Sequence, residues 1–145
     1  MTRIFITLLV SCTLTGCIIT KKNLHNIVER NVEVYSKKQN VDFDNISVIL
    51  KYYSEMLNGQ EPESFELLKI NTKHFVKNLK IFNISNNYPI MASKEEITVI
   101  SGFLNDILKM IEKEEIKPES YVRYINGIIK IYVLELFYHE EEKIL

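Results

Sequence analysis

Residues 93–113 read SKEEITVISGFLNDILKMIEK, and this stretch decides the predicted fold. Ser93 followed three residues later by Glu96 is the pattern of a capping box, in which each side chain satisfies a backbone N–H group at a helix start. After it, apolar residues recur at spacings of three and four, which is typical of an amphipathic helix. They are Ile97, Ile100, Leu104, Ile107, Leu108 and Ile111. A helix with one such face has to pack against other elements.

Two earlier segments have the same period and predict two helices. The first covers about residues 24–38, and the second follows an N-cap at Asp42 or Asp44. The second helix should end at Asn58 and Gly59, since glycine accepts the left-handed conformation found just past a helix. The two apolar stripes are Leu24, Ile27, Val28, Val32 and Tyr35, and Ile46, Ile49, Leu50, Tyr53 and Leu57.

A third helix is expected to begin near Pro62, because the missing N–H of proline is tolerated in a first turn. Its apolar stripe contains Phe65, Leu68, Phe75, Val76, Leu79 and Phe82. The segment from Asn83 to Pro89 contains three Asn, one Ser and one Pro, which predicts a loop before the capping box. With the helix of residues 93–113, this makes four helices.

A fifth helix should open at Pro118, and its pattern differs from the others. Between Tyr121 and Tyr138 the strongly polar residues are few, namely Arg123, Asn126, Lys130 and Glu135. A membrane span would have to bury three of these charges at about 2.5 to 3.5 kcal/mol each near its centre, which argues against one. We expect a helix surrounded by the other four, or one with a second apolar face left for a partner.

Tyrosines are concentrated on this fifth helix, which carries four of the eight in the chain. Tyrosine is enriched at protein interfaces, but it is also common as a half-buried core residue, and core packing is the favoured interpretation. The candidate partner-contact residues are Tyr121, Tyr124, Ile128, Ile131, Tyr132 and Tyr138.

The composition fits a single all-α domain, a compact bundle of four or five helices. The chain has 145 residues but only 4 Gly and 3 Pro, which argues against a β-protein rich in tight turns. Its formal net charge is −1, and it has no cluster of Lys and Arg that would match a phosphate backbone. Nucleic acid is therefore not expected as a partner.

The histidines and carboxylates predict neither a metal site nor an enzyme. His25, His74 and His139 fall on three different predicted helices, whereas a zinc site needs three or four ligands brought together. Glu95 and Glu96 belong to a helix first turn, where negative charge favours the helix dipole. No glycine-rich phosphate loop occurs, and no cofactor is expected.

The first 17 residues have the three-part layout of a secretory signal. Arg3 supplies a positive charge, residues 4–14 form an apolar run, and Thr15 and Gly16 are small residues placed before Cys17. The apolar run has about half of the roughly 20 residues that a membrane-spanning helix needs. The apolar run therefore favours a signal peptide that is cleaved off over a membrane-spanning helix.

Leu14-Thr15-Gly16-Cys17 resembles the lipobox of bacterial lipoproteins. The resemblance implies a signal peptide over residues 1–16 and a covalent lipid on Cys17, with no other cofactor. A tether over residues 17–23 and a helical domain over residues 24–145 would follow. Because Ile18 rather than Asp follows the cysteine, the sorting rule of enterobacterial lipoproteins implies the outer membrane. The expected location is thus the bacterial cell envelope.

Two functions fit such a protein, and both are non-enzymatic. The first is an envelope protein, anchored by its lipid, that binds or escorts another envelope protein, similar in outline to the pilotins that bring secretin subunits to the outer membrane. The second is a surface-exposed lipoprotein that binds a host or competitor ligand, or an immunity or exclusion factor. Protease added to intact cells would separate them, because an internal adapter is shielded.

Overall fold

Four α-helices make up the part of the chain that a computed structural model describes, residues 26, 29, 30, 41–82 and 92–144. They are α1 (Phe43–Gly59), α2 (Phe65–Phe82), α3 (Lys94–Lys113) and α4 (Tyr121–Ile144), and a 3₁₀ helix (Pro118–Ser120) leads into α4. No strand occurs among these residues, which confirms the all-α bundle. Most of the helix expected over residues 24–38, and the loop expected over residues 83–89, lie outside the described residues, although Asn26, Glu29 and Arg30 are helical.

The start and the buried face of α1 agree with the sequence prediction. Asp42 is the N-cap, and its Oδ1 accepts a hydrogen bond from the N–H of Asn45 at 3.1 Å. The helix also ends at Gly59 as predicted, but Gly59 is its last helical residue and its φ lies outside the expected left-handed region. The buried residues are the five of the predicted stripe, Ile46, Ile49, Leu50, Tyr53 and Leu57.

The start of α2 is set by a serine rather than by a proline. The Oγ of Ser64 accepts from the N–H of Leu67 at 3.2 Å, and its C=O accepts from the N–H of Leu68 at 3.0 Å. Pro62 is buried ahead of the helix, so its expected place in the first turn is wrong. The side-chain oxygen of serine accepts a hydrogen bond from a backbone N–H group at the helix start, whereas proline has no side-chain acceptor. This explains why the helix begins after Ser64.

The capping box of α3 is formed as predicted. The Oγ of Ser93 accepts from the N–H of Glu96 at 3.1 Å, and the N–H of Ser93 donates to Oε2 of Glu96 at 2.7 Å. All six predicted apolar residues are buried, and three more beside them widen the buried face. These three are Val99, Phe103 and Met110.

A residue in the left-handed region closes the turn after α3. Glu115 has a φ of 50°, and the N–H of Ile116 donates to the C=O of Ile111 at 3.4 Å. A bond of this span across a left-handed residue is the Schellman arrangement, and both isoleucines are buried. Glutamate thus occupies a position at which glycine is the usual residue.

Glu115→Gly is expected to raise the free energy of unfolding by about 0.5–1 kcal/mol. Glycine removes left-handed strain of about 1–2 kcal/mol, but part of this gain is lost to the greater freedom of the unfolded chain. Urea denaturation followed by circular dichroism measures the change. Glu114→Gly is the matched control and should destabilise, since Glu114 has a φ of −88°. A Glu115→Gly variant no more stable than the parent would contradict this account.

The helices pack in two main pairs, α1 with α4 and α2 with α3, and α3 also contacts α1 and α4. Nδ2 of Asn126, near the start of α4, donates to Oδ1 of Asn58, near the end of α1, at 3.2 Å. The start of α4 therefore lies beside the end of α1. The rings of Phe103 and Tyr132 stack with centroids 3.7 Å apart and join α3 to α4.

An ion pair connects the described part of the amino-terminal segment to the bundle. Arg30 donates from its guanidinium to Oδ2 of Asp106 on α3. Lys109 lies on the same helix, with its Nζ 3.8 Å from the other carboxylate oxygen. Exposed pairs of this kind contribute about 0–1 kcal/mol, so the contact indicates position more than stability.

Candidate functional site

The candidate partner-contact residues divide into a buried group and an outward group. Four lie in the core of the bundle, and these are Tyr121, Tyr124, Ile128 and Tyr132. Ile131 is half-buried and Tyr138 is exposed. The four buried residues pack in the core, and the other two have surface that a partner could reach.

The outer surface of α4, defined here as Ile131, Leu134, Phe137 and Tyr138, is the largest group of exposed apolar side chains on one described helix. Leu134 is 48% exposed, Phe137 39% and Tyr138 58%. Steps of three and four residues place Ile131, Leu134 and Tyr138 along one side of the helix, with Phe137 beside them. The sequence prediction missed Leu134 and Phe137, because a helix that is apolar almost all round gives no signal for which side faces inward.

The amino-terminal half of α4 has polar and small residues on its exposed side. Arg123, Gly127 and Lys130 are exposed there, so α4 is not enclosed by the other helices. A β-carbon built on Gly127 would meet nothing within 4 Å. None of the described helices is both long enough and apolar enough to cross a membrane.

Exposed apolar side chains on the other helices occur in pairs. Val48 and Tyr52 are four residues apart on α1, and Leu67 and Ile70 are three apart on α2. Isolated exposed apolar residues are normal on protein surfaces, so each pair is weaker evidence for an interface than the outer surface of α4.

Glu96 is a buried carboxylate that connects two helix starts. Besides closing the capping box with Ser93, it accepts from the N–H of Asp42 at 3.1 Å and from Nδ2 of Asn45 at 2.8 Å. The sequence placed Glu96 in a first turn but gave no signal of these contacts with α1. The carboxylate positions α1 against α3, which is a structural role.

A second buried polar pair joins α1 to α2. The hydroxyls of Tyr53 and Thr72 are 2.7 Å apart, and Thr72 also donates to the C=O of Leu68 at 2.8 Å. A hydroxyl has one proton to donate, so Tyr53 is the donor to Thr72. Burial raises the pKa of the Tyr53 phenol to about 12. The phenol therefore remains protonated and keeps donating at neutral pH.

Of the three histidines, His74 is the one whose side chain belongs to the described part of the structure. His74 is exposed on α2, while the side chains of His25 and His139 lie outside the described residues. Among the residues that the structure describes, no group of three His, Cys, Asp or Glu side chains is placed to hold a metal ion.

Comparisons with known proteins supply no relative for this chain. No family model, curated protein or solved structure matches it. Function therefore has to be inferred from the residues themselves, chiefly from the amino-terminal motif and from the outer surface of α4.

Proposed function

We propose that this chain is a lipid-anchored, non-enzymatic protein of the bacterial envelope that binds or escorts another protein. The observation that carries the proposal is Leu14-Thr15-Gly16-Cys17, placed directly after an apolar run of signal-peptide length. Cys17 bears the lipid in this proposal, and Ile18 directs the protein to the outer membrane. Two or three acyl chains are needed for lasting attachment, which matches lipidation of this class.

The outer surface of α4 supports protein binding as the task of the anchored body. Its exposed Leu, Phe and Tyr side chains remove apolar area from water when a partner covers them. Aromatic residues are also enriched at interfaces. The contact that we propose is helical, with the partner laid along α4, as in other complexes in which an apolar helix face is recognised.

Labelling with radioactive palmitate in a Gram-negative host tests the anchor. The full precursor should incorporate label, and Cys17→Ser should reduce it to background, because the thiol is the acceptor. Cys12→Ser is the matched control, since Cys12 lies inside the apolar run and should label like the parent. Equal labelling of Cys17→Ser and the parent would overturn the anchor.

Photocrosslinking in intact cells tests the binding surface. A photoreactive phenylalanine in place of Tyr138 should give a discrete adduct, whose mass and peptides identify the partner. The same substitution at Tyr52, an exposed tyrosine on α1, is the control and should give none. Adducts of equal yield at both positions, or none at Tyr138, would show that the outer surface of α4 is not a binding surface.

A further inference from the structure

Charge is divided between the two halves of α4. From Tyr121 to Leu134 the helix contains Arg123 and Lys130 but no Asp or Glu, and both basic residues are exposed. From Glu135 onward acidic residues predominate, with Glu135 and three consecutive glutamates at positions 140–142, and the one Lys of this half, Lys143, is two residues past Glu141 and so lies on another side of the helix. The exposed apolar residues Leu134, Phe137 and Tyr138 lie between these two regions.

The order of these residues makes the face complementary to itself. Positions 123, 130, 134 and 141 are separated by seven, four and seven residues, spacings that keep them on one side of a helix with 3.6 residues per turn. The pairs 123 with 141, 127 with 137, and 130 with 134 are each centred on position 132. Two such helices that lie antiparallel about that centre therefore bring each position opposite its counterpart.

Each of these pairings is chemically favourable. Arg123 of one copy faces the glutamate region of the other, so opposite charges meet at both ends. Phe137 of the second copy lies at the level of Gly127, which is exposed and has open space where a β-carbon would lie. The methylene groups of Lys130 lie over Leu134 of the second copy, an apolar contact that long basic side chains commonly make. The two copies of Lys130 come near each other at the centre, but a parallel arrangement would place like charges opposite one another at both ends as well.

We propose that the outer surface of α4 binds a second copy of this chain, antiparallel, with the two-fold axis close to position 132. Closed two-fold dimers are the most common symmetric assemblies, and their interfaces have to be self-complementary as this one is. The inference rests on one part of the proposed function, that this surface binds protein, and is independent of the lipid on Cys17.

Single added cysteines in the full chain, expressed in intact cells, test this geometry. In the proposed dimer the two copies of position 130 are offset by four residues, about 6 Å along the axis, whereas the two copies of position 123 are offset by eighteen, about 27 Å. With a short bifunctional thiol reagent, Lys130→Cys should give a dimer band several times stronger than Arg123→Cys. Positions 123 and 130 are both exposed on the same face of α4. The parent chain, which has no added cysteine, shows how much of the dimer band comes from Cys17.

The possible results separate this inference from the proposed function. Equal dimer bands at both positions indicate parallel or random contact, and absent bands indicate no dimer, so either overturns the inference. The dimer is also overturned if the photoreactive residue at position 138 crosslinks to a different protein and gives no adduct at twice the chain mass. That result leaves the proposed function standing. If palmitate labelling does not depend on Cys17, only the proposed lipid anchor is overturned.

Reversal of the charges gives a second, independent measurement. Arg123→Glu in the Lys130→Cys background should weaken the dimer band several-fold, because two acidic regions then face each other. Adding Glu141→Lys to that chain should restore the band. If Arg123→Glu leaves the band unchanged, or Glu141→Lys fails to restore it, the antiparallel pairing is wrong.

Discussion

Phe103→Ala is expected to lower the free energy of unfolding by about 3–5 kcal/mol, the usual cost of removing a buried aromatic ring. Phe103 has no exposed surface and stacks on Tyr132, which is itself buried. The substitution leaves a cavity between α3 and α4 and removes the ring contact between them. Most small domains are stable by about 5–15 kcal/mol, so the loss is a large share of the total.

Tyr52→Ala is the matched control, because it removes an aromatic ring from α1 at a residue that is 46% exposed. Its effect should stay within about 1 kcal/mol, as at most surface positions. Urea denaturation followed by circular dichroism compares the two variants, provided that the slope of the transition is unchanged. Similar losses at the two positions would mean that Phe103 is not a core residue.

Glu96→Ala is expected to cost about 2–3 kcal/mol, the next largest effect. The substitution removes the reciprocal half of the capping box and the acceptor for two groups of α1, the N–H of Asp42 and the amide of Asn45. Donors left without an acceptor in a partly buried site cost about 1–3 kcal/mol. Glu96→Gln should lie between Glu96→Ala and the parent, since one of its two acceptor oxygens remains.

Glu95→Ala provides the comparison for Glu96→Ala. Glu95 lies in the same first turn and shares the favourable interaction with the helix dipole, but it is not one of the residues that joins α3 to α1. Its loss should cost below about 1 kcal/mol. Thermal unfolding of the two variants at neutral pH measures the difference, and equal costs would mean that the contacts of Glu96 with α1 contribute nothing.

Helix starts and buried faces were predicted best where one sequence signal was repeated along a helix. The stripe of α1 is buried as predicted, and the capping box before α3 formed with its apolar face inward. These features depend on residues three or four positions apart, so local periodicity contains the information. The start of α2 was placed wrongly because Pro62 and Ser64 are both good signals for a helix start, and only the hydrogen bonds choose between them.

Features that depend on residues distant in sequence could not be predicted in the same way. The second role of Glu96 requires α1 to lie beside α3, and no local pattern reveals that. The side of α4 that faces outward was also hidden, because Leu134 and Phe137 differ from Ile128 and Tyr132 only in what packs against them. The left-handed Glu115 gave no signal either, since glutamate is not the residue expected there.

The ion pair between Arg30 and Asp106 limits how far the body can extend from an anchored Cys17. Arg30 is thirteen positions after Cys17, and even a fully extended chain over that span reaches only about 45 Å. That reach is close to the thickness of a lipid bilayer with its headgroups. With lipid on Cys17, the position marked by this contact would place the middle of α3 within that reach of the membrane. A partner of such an anchored body would meet it in this layer next to the membrane.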